Sequence, residues 1–293
     1  MFRLKVLKQL NGRKREEVRE LENVCRVHDQ IEGGVLLAGE EGSEGKPVFF
    51  LCYDNDFLAG FAMLHRMGDG AAEICSYIHP EYRRRSLLKR ILKAVRKEAL
   101  NHEITTMNYI IEPHQYELID SMVQEGYFEY MNSEYLMEWK YSYPLQKTNE
   151  LEVRILDEKW YEDAARILDG LFPMDFQEAK QRIQQLTADG CEYYGAWQKE
   201  MLVGIFCFLK GKESVYVFDF AVDGDYQKRG IGKTMLKELI RIVQEEAQNN
   251  NTEQKKIRIQ TGSKNGTAFR LYQKNGFQVI SQRDYYHINF IAE

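Results

Sequence analysis

Tyr226-Gln227-Lys228-Arg229-Gly230-Ile231-Gly232 opens a helical pattern directly after an apolar run that ends in Ala221-Val222-Asp223. This stretch decides the fold, because a counterpart stands 144 residues earlier: Tyr82-Arg83-Arg84-Arg85-Ser86-Leu87-Leu88 also follows an apolar run and also opens a helical pattern. Leu58-Ala59-Gly60-Phe61 and Leu202-Val203-Gly204-Ile205 keep that offset of 144, and Glu125-Gly126-Tyr127 answers Asn275-Gly276-Phe277 at 150. The six additional residues fall in the polar stretch 249–254, a surface loop by composition. Self-similarity at a fixed spacing marks a tandem duplication. It predicts two domains, 1–143 and 151–293, with Pro144 and polar residues in 143–150 as the linker.

Hydrophobic periodicity then assigns the elements. In the second copy it predicts strands over 151–156, 192–197, 203–210, 215–222 and 256–260, and a closing pair over 277–281 and 285–290. Helices are predicted over 158–169, 176–189, from Gly230 onward, and over 267–274; the third carries Met235, Leu236, Leu239, Ile240 and Val243 as one apolar stripe. The first copy reads alike, with helices over 13–28, 87–99 and 115–125 and strands over 48–52, 57–67, 72–78 and 106–111, then terminal strands to Trp139. The fold class is α/β, each domain a mixed, mostly antiparallel sheet flanked by helices.

Composition narrows the function classes. Lys plus Arg number 40 and Asp plus Glu 45, a net charge of −5, which gives no electrostatic footprint for nucleic acid. Met201 to Leu209, the longest nearly uninterrupted apolar run, is far short of a membrane span. The first ten residues alternate Arg and Lys with apolar side chains and hold no signal-peptide core. The expectation is a cytoplasmic protein without membrane partners. Cys25, Cys52, Cys75, Cys191 and Cys207 are odd in number and form no CxxC pair, which points to reduced thiols. The six histidines form no HxH or HExxH grouping, so no metal site is expected.

Three phosphate-binding patterns compete around Gly230. A P-loop needs glycine where Gln227 stands, and a GxGxxG fingerprint needs it where Met235 stands. The hexapeptide 227–232 instead resembles the acetyl-CoA signature of the GNAT superfamily of N-acetyltransferases, Q/R-x-x-G-x-G/A. The segment Ser263-Lys264-Asn265-Gly266-Thr267-Ala268-Phe269-Arg270-Leu271-Tyr272-Gln273-Lys274-Asn275-Gly276-Phe277 is similar to that family's N-x-x-A…L-Y-x-x-x-G-F segment. The physics agrees: glycines at 230 and 232 remove the Cβ atoms that would hold a phosphate off the backbone, and a helix start presents unpaired N–H groups to an anion.

The resemblance implies a tandem acetyltransferase with acetyl-CoA as cosubstrate. Gln227, Lys228, Arg229, Gly230, Ile231, Gly232 and Lys233 would cradle its pyrophosphate, and backbone at Phe220, Ala221 and Val222 would pair with the pantetheine arm as an added strand does. Asn265 would give a side-chain amide to that arm, cap the following helix, or do both. Tyr272 matches the family's acid, and Asp219 is the candidate base, unless strand alternation points it away from the cleft. Glu192, Tyr193 and Tyr216 either line the acceptor pocket or pack within the sheet.

The first copy has lost these letters: Ser86 and Leu88 replace the two glycines, Gln115 replaces Asn265, and Met122, which has no proton to give, replaces Tyr272. It reads as non-catalytic, a scaffold or pseudo-dimer partner, so that the chain is a monomer with an internal pseudo-dimer or a homodimer. The acceptor is a primary amine on a small molecule or peptide. A non-catalytic acyl-CoA sensor is the alternative from another class, and a purely structural pseudo-dimer a third.

Overall fold

The computed structural model describes residues 2–30, 47–67, 70–83, 86–112, 115–140 and 151–289. The predicted linker 143–150, and Arg84 and Arg85 of the basic run, lie outside these residues.

The first half of the chain runs β1 (Phe2–Leu7), α1 (Gly12–Asp29), β2 (Val48–Asp54), β3 (Phe57–Arg66), β4 (Ala71–Ile78), α2 (Leu87–Asn101), β5 (Thr106–Ile111), α3 (Tyr116–Gln124) and β6 (Phe128–Trp139). The second runs β7 (Glu152–Ile155), α4 (Tyr161–Asp169), α5 (Phe176–Ala188), β8 (Glu192–Gln198), β9 (Met201–Lys210), β10 (Ser214–Val222), α6 (Ile231–Asn249), β11 (Lys256–Gly262), α7 (Gly266–Lys274) and β12 (Phe277–Ile288). Apart from β1 and a single strand at each copy's end, this is the order that periodicity predicts. Strand β1 alternates Phe2, Leu4 and Val6 with Arg3 and Lys5, a period of two that is too short and too basic to stand out. The helix starts follow capping chemistry. Asn11 accepts the Lys14 N–H at 3.0 Å ahead of α1, and Asp175 and Glu178 form a reciprocal capping box on α5.

The compact units do not follow the halves of the sequence. One comprises Met1–Ser133 with Ser281–Glu293, the other Glu134–Ile280. In the first, β1 to β4 pair antiparallel in sequence order, β4 pairs parallel with β5, and β5 pairs antiparallel with β12 through Asp284 to His287. Leu88, Ile91, Leu92 and Val95 of α2 pack on Phe50, Leu64 and Ile74 on one face, while Val18, Leu21 and Cys25 of α1 pack on Phe49, Leu51 and Phe61 on the other.

In the second unit β7 to β10 pair antiparallel in order, β10 pairs parallel with β11, and β11 pairs antiparallel with residues 134–138 of β6. Met235, Leu239 and Val243 of α6 meet Phe206, Val217 and Ile259; Ala164 and Leu168 of α4 and Ile183 of α5 meet Tyr193, Ile205 and Cys207. The last strand of each copy thus contributes residues to the unit built mainly from the other copy.

Glu138, on that contributed strand, accepts from Lys140 Nζ at 2.5 Å and from Arg258 Nε at 2.9 Å. Burial by itself would raise its carboxyl, but the two cations more than offset this and hold it below the ordinary value of 4.5. A depressed carboxyl stabilises the fold above its unfolded value and loses that contribution as pH falls through its folded one. Glu138→Gln is therefore expected to cost about 2 kcal/mol at pH 7, or roughly 4–8 °C in Tm. Melts at stepwise lower pH should show the gap closing below the ordinary Glu range; a gap independent of pH would remove this carboxylate from the stability of the unit.

Candidate active site

The second unit gathers the predicted residues at one place, where β10 parts from β11. The two strands pair from Ser214 with Lys256 to Val217 with Ile259 and no further among the described residues. At that point β10 bulges: Phe218 opposes Cys207 and Ala221 opposes Ile205, so that Asp219 and Phe220 together face Phe206. An extra residue kinks its strand and re-aims its backbone. Beyond the kink, Phe220, Ala221 and Val222 have β9 on one side only, and residues 260–262 of β11 have β6 on one side only.

After β10 the chain makes a 3-10 turn, Gly224–Tyr226, and the Gln227 side chain donates back to the Val222 carbonyl at 3.0 Å. Lys228 and Gly230 both have positive φ, 60° and 84°, and the latter is the residue from which α6 starts. Among the described residues the backbone N–H groups from Lys228 to Gly232 have no acceptor, whereas those of Lys233 and Thr234 return to the Gly230 carbonyl. Successive unpaired N–H groups around left-handed residues make a concavity suited to an anion. The first turn of α6 carries no acid, and Lys228, Arg229 and Lys233 are exposed beside it, with Arg229 over the Tyr226 ring at 5.4 Å. Ile231 is turned into the core.

Gly232 lies where this loop meets the sheet. A Cβ there would stand 3.4 Å from Leu271, 3.6 Å from Val222 and 4.0 Å from Phe220, so any larger side chain would enter the space between α7 and the parted end of β10. Helix α7 starts at Asn265, whose Oδ1 accepts the Ala268 N–H at 3.1 Å, so the capping role is realised. Its Nδ2 has no partner among the described residues and remains free to serve a ligand. In the last turn of the helix is Tyr272, 3% exposed, its ring edge-on to Phe220 at 5.9 Å and against Phe277 at 6.0 Å. Burial pushes its phenol above the ordinary value of 10. It therefore holds its proton throughout the neutral range.

Asp219 sits on the opposite face. Its carboxylate accepts from Arg182 Nε at 3.0 Å and Nη2 at 3.1 Å, and from the Tyr193 hydroxyl. A base at this position would act with both oxygens already engaged. Arg182 of α5 is the residue that sequence reasoning missed, since one arginine on a polar helix carries no periodic signal. It also lines a groove of about 860 Å³ along α5, together with Met174, Glu178 and Gln181. Tyr216 accepts from Arg258 at 3.0 Å, and Glu192 accepts from Tyr194 and Lys210. No group of three or more His, Cys, Asp or Glu among the described residues could hold a metal ion, and no described helix is long and apolar enough to cross a membrane.

The chain matches the family profile "Acetyltransferase (GNAT) family" twice, over residues 15–120 and 158–277. This chain belongs to the GNAT acetyltransferase family. Solved GNAT structures carry the same architecture across the full length. A GCN5-related N-acetyltransferase from Sphaerobacter thermophilus superposes with a TM-score of 0.79 at 16% identity, covering 100% of this chain and 98% of that one. A tandem GNAT protein from the clavulanic acid biosynthesis pathway gives 0.70 at 11% identity over 99% and 100% of the two chains. A GNAT-family acetyltransferase from Colwellia psychrerythraea gives 0.62 at 15% identity over 98% and 100%. At such identities the likeness shows the fold alone. No curated protein matches the sequence.

The duplicated half of this GNAT chain has a different interior at the corresponding place. Arg83, at the position of Gln227, donates to the Ile78 carbonyl at 3.2 Å, the counterpart of the Gln227 bond to Val222. Its guanidinium is then tied to Asp29 by two bonds of 2.6 and 2.7 Å and is 4% exposed. Ser86 takes the left-handed φ of 54° where Gly230 stands, Leu88 and Met122 are buried, and Gln115 accepts the Glu112 N–H. Tyr109 and Ser76 share a 2.5 Å hydrogen bond between β5 and β4, next to the point where those strands cease to pair.

Proposed function

We propose that the second unit is an N-acetyltransferase that takes acetyl-CoA as cosubstrate and acts on a primary amine of a small molecule or peptide, and that the first copy does no chemistry. The observation that carries this reading is the convergence on Phe220. The parted end of β10, the Cβ direction of Gly232 and the Tyr272 ring all meet at that residue. The unpaired amides 228–232, the exposed Lys228, Arg229 and Lys233, and the missing Cβ atoms at Gly230 and Gly232 suit a diphosphate. The edge of Phe220–Val222 that has no strand on the β11 side, together with Asn265 Nδ2, suits an amide-bearing arm.

When bound, acetyl-CoA supplies an activated acyl thioester. The chain's residues do the rest. Backbone near Val222 orients the carbonyl and offers an N–H to the oxyanion. Tyr272 holds a proton on its hydroxyl and would pass it to the sulfur as the C–S bond breaks; the proton that the amine sheds as the C–N bond forms would go to solvent, and the phenol would regain one from there. The groove beside Arg182 receives the acceptor amine, and the net charge of −5 favours a cationic acceptor over nucleic acid. The inert role of the first copy is supported by Leu88, Met122 and the Ser76–Tyr109 bond, which occupy the counterparts of the loop, the acid and the opening.

Calorimetry with acetyl-CoA, followed by release of CoA thiol against a panel of amines, tests the reading. Gly232→Val should weaken acetyl-CoA binding by about tenfold or more, since it withdraws at least one charge-assisted contact to phosphate. Binding without thiol release would identify a sensor, and absence of binding would leave only the fold.

A further inference from the structure

The bulge that parts β10 from β11 sits on a residue ill suited to it. Asp219 has φ 47°, a left-handed value that costs an ordinary side chain and normally calls for glycine. A conformation of this kind persists only where its surroundings over-determine it. Here they do. Asp219 is 9% exposed, Arg182 reaches over from α5 with Nε and Nη2, and Tyr193 donates its hydroxyl from β8. The three side chains come from three elements and meet on the face of the sheet opposite Tyr272.

The duplication supplies an internal control. At the offset of 144, Asp219 corresponds to Cys75 and Tyr193 to Phe49, so neither the carboxylate nor the hydroxyl is present. Strand β4 then pairs with β3 without interruption, from Gly60 with Ile78 to Arg66 with Ala72, and Cys75 has no positive φ. The same fold without the clamp has no bulge.

We propose that Arg182, assisted by Tyr193, is a positioning residue that clamps Asp219 in its left-handed conformation and so holds open the gap between β10 and β11. On the reading given above, that gap receives the pantetheine arm, and Asp219 serves through the backbone shape it imposes and not as a base. The guanidinium is 41% exposed on its side-chain surface and lines the α5 groove with Nη1 unpartnered among the described residues, so the acceptor side and the donor gap share one residue.

Crystal structures of the free Arg182→Met and Tyr193→Phe proteins test the clamp directly, and calorimetry with acetyl-CoA tests its consequence. Arg182→Met should lose the extra residue between Phe218 and Ala221 and bind acetyl-CoA about tenfold more weakly. Tyr193→Phe, which installs the first copy's own residue and removes one hydroxyl, should weaken binding by about threefold. Among changes at 219 itself, Asp219→Gly can adopt φ 47° unaided and should bind more tightly than Asp219→Ala. An unaltered bulge in Arg182→Met overturns the proposal, as does equal binding by the Gly and Ala variants. If the unmodified protein does not bind acetyl-CoA, the reading of the site fails by itself, and the clamp stands or falls on whether Arg182→Met straightens β10.

Discussion

A fragment spanning residues 147–293 will not fold, although it contains the whole second copy of the repeat. The unit that carries the candidate site includes residues 134–139, and Met137 and Trp139 of that segment are 0% and 6% exposed in its core. Their loss gives up about 1.5–3 kcal/mol of burial each. Arg258 loses its carboxylate partner, and β11 is left as a bare edge next to the site. Set against a typical stability of about 5–15 kcal/mol, that is a large share. The fragment also retains residues 281–288, four of which pair with β5 in the other unit. Circular dichroism should show no cooperative melt for 147–293 and a cooperative one for 134–280. A sharp transition in 147–293 alone would mean that residues 134–139 are dispensable to the second unit.

Tyr272→Phe is expected to lower turnover by about 100-fold or more while changing acetyl-CoA affinity by less than about threefold. The ring is what packs on Phe220 and Phe277, and phenylalanine keeps it. Only the hydroxyl is lost. Because burial raises the phenol above 10, this residue contributes no falling limb to the pH–rate profile in the neutral and mildly alkaline range. A limb with a midpoint near 8 would belong to the acceptor amine or another group. Unchanged turnover would remove Tyr272 from the mechanism and leave it a core residue.

Much of this was legible in the residues themselves. Gly230 and Gly232, the polar loop that leads into α6, and the α7 segment through Tyr272 could be picked out because each depends on local chemistry: a positive φ, a missing Cβ, a position in a short motif. Asp219 was legible as a polar residue in an apolar strand, but its partner was not. Arg182 is 37 positions away in sequence, and nothing local distinguishes it from the other charges on α5. The separate closing strands expected over 277–281 and 285–290 are one strand, because polar Gln282, Arg283 and Asp284 interrupt the apolar pattern without breaking the extended backbone. Asp284 and Gln282 find each other and Tyr116 instead.

The division of β6 and β12 between units also orders events at the ribosome. Chain emerges at about 5–20 residues per second, and N-terminal domains usually close as soon as they clear the tunnel. Here the edge of β5 has to wait for the strand that pairs with it through Asp284–His287, roughly 150 residues after the rest of its sheet is available. For about 10–30 s of synthesis the nascent chain carries an open hydrophobic template. The first unit can then mature only once β12 has emerged, nearly together with the second.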